Sequence, residues 1–186
     1  MDLAALVSRT RNLYVAQFRS FAQKQLANCV QGATEIKLRL SEESKLFDRL
    51  YCVDFIRNDG APKIVELQPE DIMTFDAVTG ALGSSSFSIE HLQWDDVVIR
   101  HNLERQPYDD LSSWFRLWFD PKDERHDPSA DLSGTIHSML LEPSCISIDF
   151  GTAPPNAFWE ILLLLEAAGA TRMEISNSRA EADRLV

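Results

Sequence analysis

The chain has 186 residues, 45% of them hydrophobic, with 18 Lys and Arg against 29 Asp and Glu and a net charge of −11. That is enough apolar material for one substantial core, and seven Gly with eight Pro exclude a collagen-like or low-complexity chain. The acidic balance argues against nucleic acid as a direct partner, and no run approaches the roughly 18 apolar residues of a membrane span.

The charge is uneven along the chain. Residues 1 to 40 carry six basic and two acidic side chains, while the remainder carries twelve basic and twenty-seven acidic, a net of −15. Such an imbalance either keeps the surface solvated or steers a basic partner toward it. The opening Met-Asp-Leu-Ala-Ala-Leu-Val-Ser-Arg lacks a basic start before an apolar core, so no secretory signal is expected and a cytoplasmic location is.

Leu3, Val7, Tyr14, Phe18, Phe21, Ala22 and Cys29 fall in one sector when wound at 3.6 residues per turn. They predict a long amphipathic helix over residues 2 to 30, ended by Gly32, with Arg9, Arg19 and Lys24 on its exposed side. Such a helix packs on its own sheet or is shared with a second copy or a partner. Glu35 to Leu40 then alternates as a half-buried strand, with Ile36, Leu38 and Leu40 inward and Glu35, Lys37 and Arg39 outward.

Leu50 to Arg57 and Lys63 to Gln68 flank Asn58-Asp59-Gly60-Ala61-Pro62, a strong turn signal, and predict a hairpin. With Tyr51, Val53 and Phe55 inward beside Val65 and Leu67, two registers remain open. Pairing Phe55 with Val65 sets Asp54 against Glu66, where opposed carboxylates need a cation, a proton or a basic side chain unless water solvates both. A shift of two residues dissolves the pair.

Residues 69 to 86 read as either a short helix or an irregular connection. Phe87 to Trp94 and Val97 to Asn102 predict a second hairpin across Asp95-Asp96, with His91 beside Arg100. After Pro107, Asp109 or Asp110 is placed to cap a short helix whose Leu111, Trp114, Phe115 and Trp118 share a face, either plugging the core or forming a ligand platform. Residues 120 to 134 are charged and nearly free of apolar anchors, which predicts a mobile acidic loop without the spacing of a calcium-binding loop.

Thr135 to Glu142 and Cys145 to Phe150 predict two strands joined over Pro143-Ser144. The second leads through Pro154-Pro155 into a helix over 156 to 168, ended by Gly169, and a return strand from Thr171 to Ser176: a β-α-β unit with parallel strands.

Four histidines, His91, His101, His126 and His137, have no ligand spacing, and Cys29, Cys52 and Cys145 read as buried free thiols. Asp149, at a strand end before a helix N-terminus, is placed either for ligand contact or for satisfying local backbone donors.

The expected architecture is a single α+β domain over 1–186: a mostly antiparallel sheet of about seven or eight strands, a long N-terminal helix (1–31), a short aromatic helix and the C-terminal β-α-β unit. The expected function is that of a non-catalytic acidic protein acting through a protein partner, as inhibitor, immunity-like or assembly component, without cofactor or metal. The alternative is a small-molecule binder or enzyme with a pocket between sheet and helices. Its candidate residues are Asp54, Glu66, His91, His137, Asp149, Trp114 and Trp118.

Overall fold

The computed structural model describes residues 2–29, 31–125 and 127–184, so His126 and Val30 lie outside the described residues. The chain opens with helix α1 (Leu3–Asn28), whose N-terminus is capped by the Asp2 carboxylate accepting from Ala4 N at 3.0 Å. It is one continuous helix. Leu6, Val7, Thr10, Tyr14, Val15, Phe18 and Ala22 form its buried stripe, while Arg9, Arg19 and Lys24 are exposed, as the periodicity requires.

Strand β1 (Ala33–Arg39) follows, then a 3-10 turn (Phe47–Arg49), strand β2 (Leu50–Arg57) and the short β3 (Lys63–Val65). These make one three-stranded antiparallel sheet in the order β1-β2-β3. The hairpin takes the register that pairs Phe55 with Val65. The expected inward parity is only half right. Leu50 and Cys52 join the main hydrophobic core from the face read as outward, while Val53 and Phe55 are buried on the other face, so β2 is covered on both sides.

A second sheet holds six strands in the order β4-β5-β9-β6-β8-β7. Its strands are β4 (Val78–Leu82), β5 (Ser85–Ile89), β6 (Val97–His101), β7 (Ser138–Glu142), β8 (Cys145–Asp149) and β9 (Arg172–Ser176). The fold is therefore α+β with two mixed-size sheets rather than one of seven or eight strands. The ambiguous stretch 69 to 86 supplies β4, hairpinned to β5.

Two sequence expectations about neighbours are corrected here. The proposed hairpin of 87–94 with 97–102 does not exist, because β9 inserts between β5 and β6, parallel to the first and antiparallel to the second. Residues 90–96 instead form a connection that buries Leu92 and Trp94 at 1% exposure each. Likewise β8 and β9 run in the same direction but are separated by β6; the hydrogen-bonded parallel pair is β5 with β9. Met173 and Ile175 explain the insertion: both are buried, and a central strand covers them on two sides where an edge would not.

Helix α2 (Tyr108–Phe119) buries Leu111, Trp114, Phe115, Trp118 and Phe119 and starts after Pro107, with Asp109 and Asp110 in its first turn rather than at its cap. Helix α3 (Pro155–Ala167) begins on Pro155, whose missing N–H the first turn does not need, and buries Phe158, Ile161, Leu162 and Leu165. Each of those four contributes about 1.5–3 kcal/mol by leaving water. A short helix α4 (Ser178–Arg184) ends the described chain. Among the described residues, no helix is long and apolar enough to cross a membrane.

The two sheets are bridged just before the start of β7. The backbone of His137, just before β7, donates its N–H to Asp149 O at 2.9 Å and accepts from Cys52 N at 2.7 Å. Its N–H thus pairs with the last residue of β8 and its C=O with β2, which carries the His137 side chain into the seam between the two sheets.

Candidate functional site

The His137 ring is 1% exposed and has acidic side chains at both nitrogens. Glu35 Oε1 lies 3.4 Å from Nε2; on the other side Asp54 Oδ1 lies 3.0 Å and Asp149 Oδ2 3.9 Å from Nδ1. The Asp54 contact is off the line of an N–H bond, so charge rather than a straight hydrogen bond holds it. Phe18 of α1 closes one side of the ring edge-on, with centroids 5.7 Å apart.

Glu35 was read as an outward residue of β1, and that expectation is corrected: its side chain is 5% exposed. It carries φ of 50° inside the strand, in a position directly across from Asp54 where the ladder between Thr34–Phe55 and Ile36–Val53 is interrupted. The distortion is compensated by a dense set of donors. Ser133 gives its N–H at 2.8 Å and its hydroxyl at 2.5 Å, and the Thr152 hydroxyl gives another at 2.5 Å. Burial opposes the charge on Glu35, but His137, Ser133 and Thr152 together hold its pKa below 4.5.

On the far side of β2, Asp54 and Glu66 are brought together. Each accepts an N–H from the opposite segment: Asp54 N donates to Glu66 Oε2 at 3.2 Å, and Leu67 N to Asp54 Oδ2 at 2.7 Å. Three carboxylates, Glu35, Asp54 and Glu66, therefore stand in a row across β1, β2 and the end of β3. Asp149 joins them from β8, one oxygen taking the Gly151 N–H at 2.8 Å.

A cavity of about 280 Å³ opens onto this cluster. Asp54, Glu66, Asp95 and Asp149 line it together with Tyr14 and Cys52. Burial raises Asp149 to about 7 against the pull of His137, and burial with the neighbouring Asp54 charge raises Glu66 to about 7. Asp95 is raised by burial as well. For His137 burial works downward, yet the fields of Cys52, Asp149, Asp54 and Glu35 more than offset it and keep the ring an imidazolium well above 6.5. The Cys52 thiol is pushed up to about 12, chiefly by burial, so it stays protonated at neutral pH and the carboxylates are the partners that count there.

What this arrangement does chemically follows from those charges. One buried cation faces several carboxylates, leaving an excess of negative charge that an entering ammonium or guanidinium group neutralises. Among the described residues, no group of three or more His, Cys, Asp and Glu is placed to hold a metal ion.

The remaining sequence candidates stand apart from the cluster. His91 is exposed on the 90–96 connection. Trp114 and Trp118 are buried in the core, and their indole N–H groups are spent on Ala157 O at 3.2 Å and Glu160 Oε2 at 2.7 Å. Sequence reasoning missed Glu35, Asp95 and Tyr14. Tyr14 and Asp95 carried no signal beyond membership of a helix stripe and a turn, and Glu35 was concealed by a regular alternation.

The protonation states predict a pH dependence of stability. Asp149 and Glu66, raised to about 7, hold protons in the folded state that the unfolded chain releases above about 4, so stability grows as pH falls through 7. Glu66 is exposed and screened by solvent, so the larger share falls to Asp149. His137 acts in the same sense: its contribution is full below 6.5 and is lost as pH rises through its folded value. Glu35 acts oppositely, its stabilisation being present above 4.5 and lost in acid. Stability is therefore expected to be about 1–3 kcal/mol greater at mildly acidic than at mildly alkaline pH. Urea denaturation at both pH values checks this, and Asp149→Asn should flatten the difference; a larger midpoint on the alkaline side contradicts the assignment.

Comparison with protein-family models, with curated proteins and with solved structures finds no match for this chain.

Proposed function

We propose that the protein is a non-catalytic binding protein that receives a basic side chain of a protein partner in the carboxylate-lined cavity. The observation that carries this reading is the convergence of Asp54, Glu66, Asp95 and Asp149 on one opening of about 280 Å³, a size suited to a single lysine or arginine head group. An entering cation stabilises Glu66 and Asp149 in their charged forms, so its binding releases protons near neutral pH. The excess of acidic side chains beyond residue 40 supplies the long-range attraction that brings a basic surface to the cavity. An inhibitor or immunity-like role, masking a basic active site, fits that chemistry.

The test is capture of a partner from the native cell by the wild-type protein and by the Glu66→Gln/Asp149→Asn variant, each at low and high salt. The wild type should retain a partner at low salt and release it at high salt, and the variant should bind it at least about thirtyfold more weakly, as expected for a cation left without its partners. A partner held equally by both proteins, or unaffected by salt, or no partner at all, refutes the reading.

A further inference from the structure

A second and larger cavity, about 600 Å³, lies where β1, the start of β2, the end of α2 and the following loop meet. Its charge is unlike the rest of the molecule. Lys37, Arg39, Arg116 and Lys122 line it against three acids, Asp48, Asp120 and Glu124, an excess of one positive charge in a chain of net charge −11, with Leu38 and Pro121 as the accessible apolar part of its wall.

The availability of those cations differs. Lys37 is committed, its ammonium donating to Asp120 O at 2.7 Å and Asp123 Oδ1 at 2.5 Å. Arg39 meets Asp48 only at 3.5 Å, and Lys122 meets Glu124 at 3.9 Å with both side chains largely in water, so neither pairing is worth much. Arg116 is exposed and has no ion-pair partner among the described residues. Of the three acids on the wall, Asp48 and Glu124 are the partners in those two weak pairings, and the third does not offset Arg116. Asp120 turns its carboxylate into its own loop, where it accepts from Glu124 N at 3.0 Å and Arg125 N at 2.9 Å.

The backbone around the cavity is also unusual. Asp48, Arg49, Asp120 and Asp123 have positive φ, between 50° and 58°, and all four belong to the segments that border it. Left-handed conformations in non-glycine residues cost of order 1 kcal/mol each and concentrate where a site demands a particular chain path.

We propose that this cavity binds a small anion bearing an apolar body, a carboxylate or phosphate monoester, with the anionic group on Arg116, Arg39 and Lys122 and the body against Leu38 and Pro121. A planar guanidinium with no standing partner offers a carboxylate or phosphate two parallel N–H bonds, and partial enclosure strengthens them relative to open solvent. The site is separate from the carboxylate-lined cavity and does not depend on its reading.

The experiment is calorimetric titration of the intact protein with phenyl phosphate, with phenylacetate, and with benzylamine as the charge-reversed probe. Both anions should bind saturably and weaken with added salt, and Arg116→Gln should weaken them about tenfold, the loss expected for one charge-assisted contact. Arg105→Gln, removing an exposed charge before the opposite end of α2, should change nothing, and thermal melting should show both variants folded. The relative affinity of the two anions identifies whether the natural group is a phosphate or a carboxylate. Absence of saturable anion binding up to about 20 mM, an equal effect of both substitutions, or equal binding of benzylamine overturns the proposal.

Discussion

Replacing His137 with alanine is expected to lower the unfolding free energy by about 3–5 kcal/mol, the loss typical of removing one partner from a buried charge cluster. The reason lies less in the contacts deleted than in the groups abandoned. Glu35 and Asp54 have side chains 5% and 7% exposed, and without the imidazolium between them their charges face each other across the β1–β2 seam. The donors from Ser133 and Thr152 then support Glu35 alone. A second substitution distinguishes this account from simple loss of packing against Phe18: Glu35→Gln in the His137→Ala background should recover part of the loss, by roughly 0.5–3 kcal/mol relative to additivity. Guanidinium denaturation of the two single variants and the double variant reads both effects. A loss below about 1 kcal/mol for His137→Ala, or strict additivity in the double variant, contradicts the clamp.

Gly151→Ala is expected to cost about 2–5 kcal/mol, combining an unfavourable left-handed backbone with forced repacking. Gly151 has φ of +48°, and a methyl group there would overlap the His137 ring. The ring has no room to retreat, held as it is between the Glu35 and Asp54 carboxylates with Phe18 against its edge. Gly134 provides the control: its φ is +69°, but a methyl group there meets nothing within 4 Å, so Gly134→Ala should cost only about 1–2 kcal/mol of backbone strain. Denaturation midpoints of the two variants should therefore differ clearly, and the alanine at 151 should also shift the pH at which stability is greatest, because it displaces the imidazolium from its carboxylates. Equal costs at the two positions would mean that His137 is not wedged.

Several elements were legible because they depend on local chemistry alone. The α1 stripe, the Pro154-Pro155 start of the second long helix and the turn at Asn58-Asp59-Gly60 follow from residue spacing and backbone preference, and the helices appear within a residue or two of their expected bounds. The pairing of Phe55 with Val65 was one of two registers that side-chain parity allowed, and only the closed sheet selects it. Strand neighbours were less accessible. Alternation in residues 87–94 and 97–102 correctly implied opposite directions, but nothing local reveals that a strand more than seventy residues later will slide between them.

The candidate site divides in the same way. Asp54, Glu66, His137 and Asp149 could each be singled out as ionisable groups among apolar neighbours, and the Asp54–Glu66 adjacency could be stated as a consequence of one register. Glu35 could not, since in its own strand it occupies an outward position; it is turned inward by a positive φ and held by hydroxyls that arrive from residues 133 and 152. By itself the sequence determined most of the helical and extended segments, though not β4 or the 90–96 connection, how much apolar surface must be hidden and where the negative charge accumulates, because these depend on periodicity and composition. Only the tertiary structure decided that the backbone of His137 bonds to both sheets and that acids from β1, β2 and β8 surround its ring, because the energy of a buried charge depends on distances between residues that no local pattern encodes.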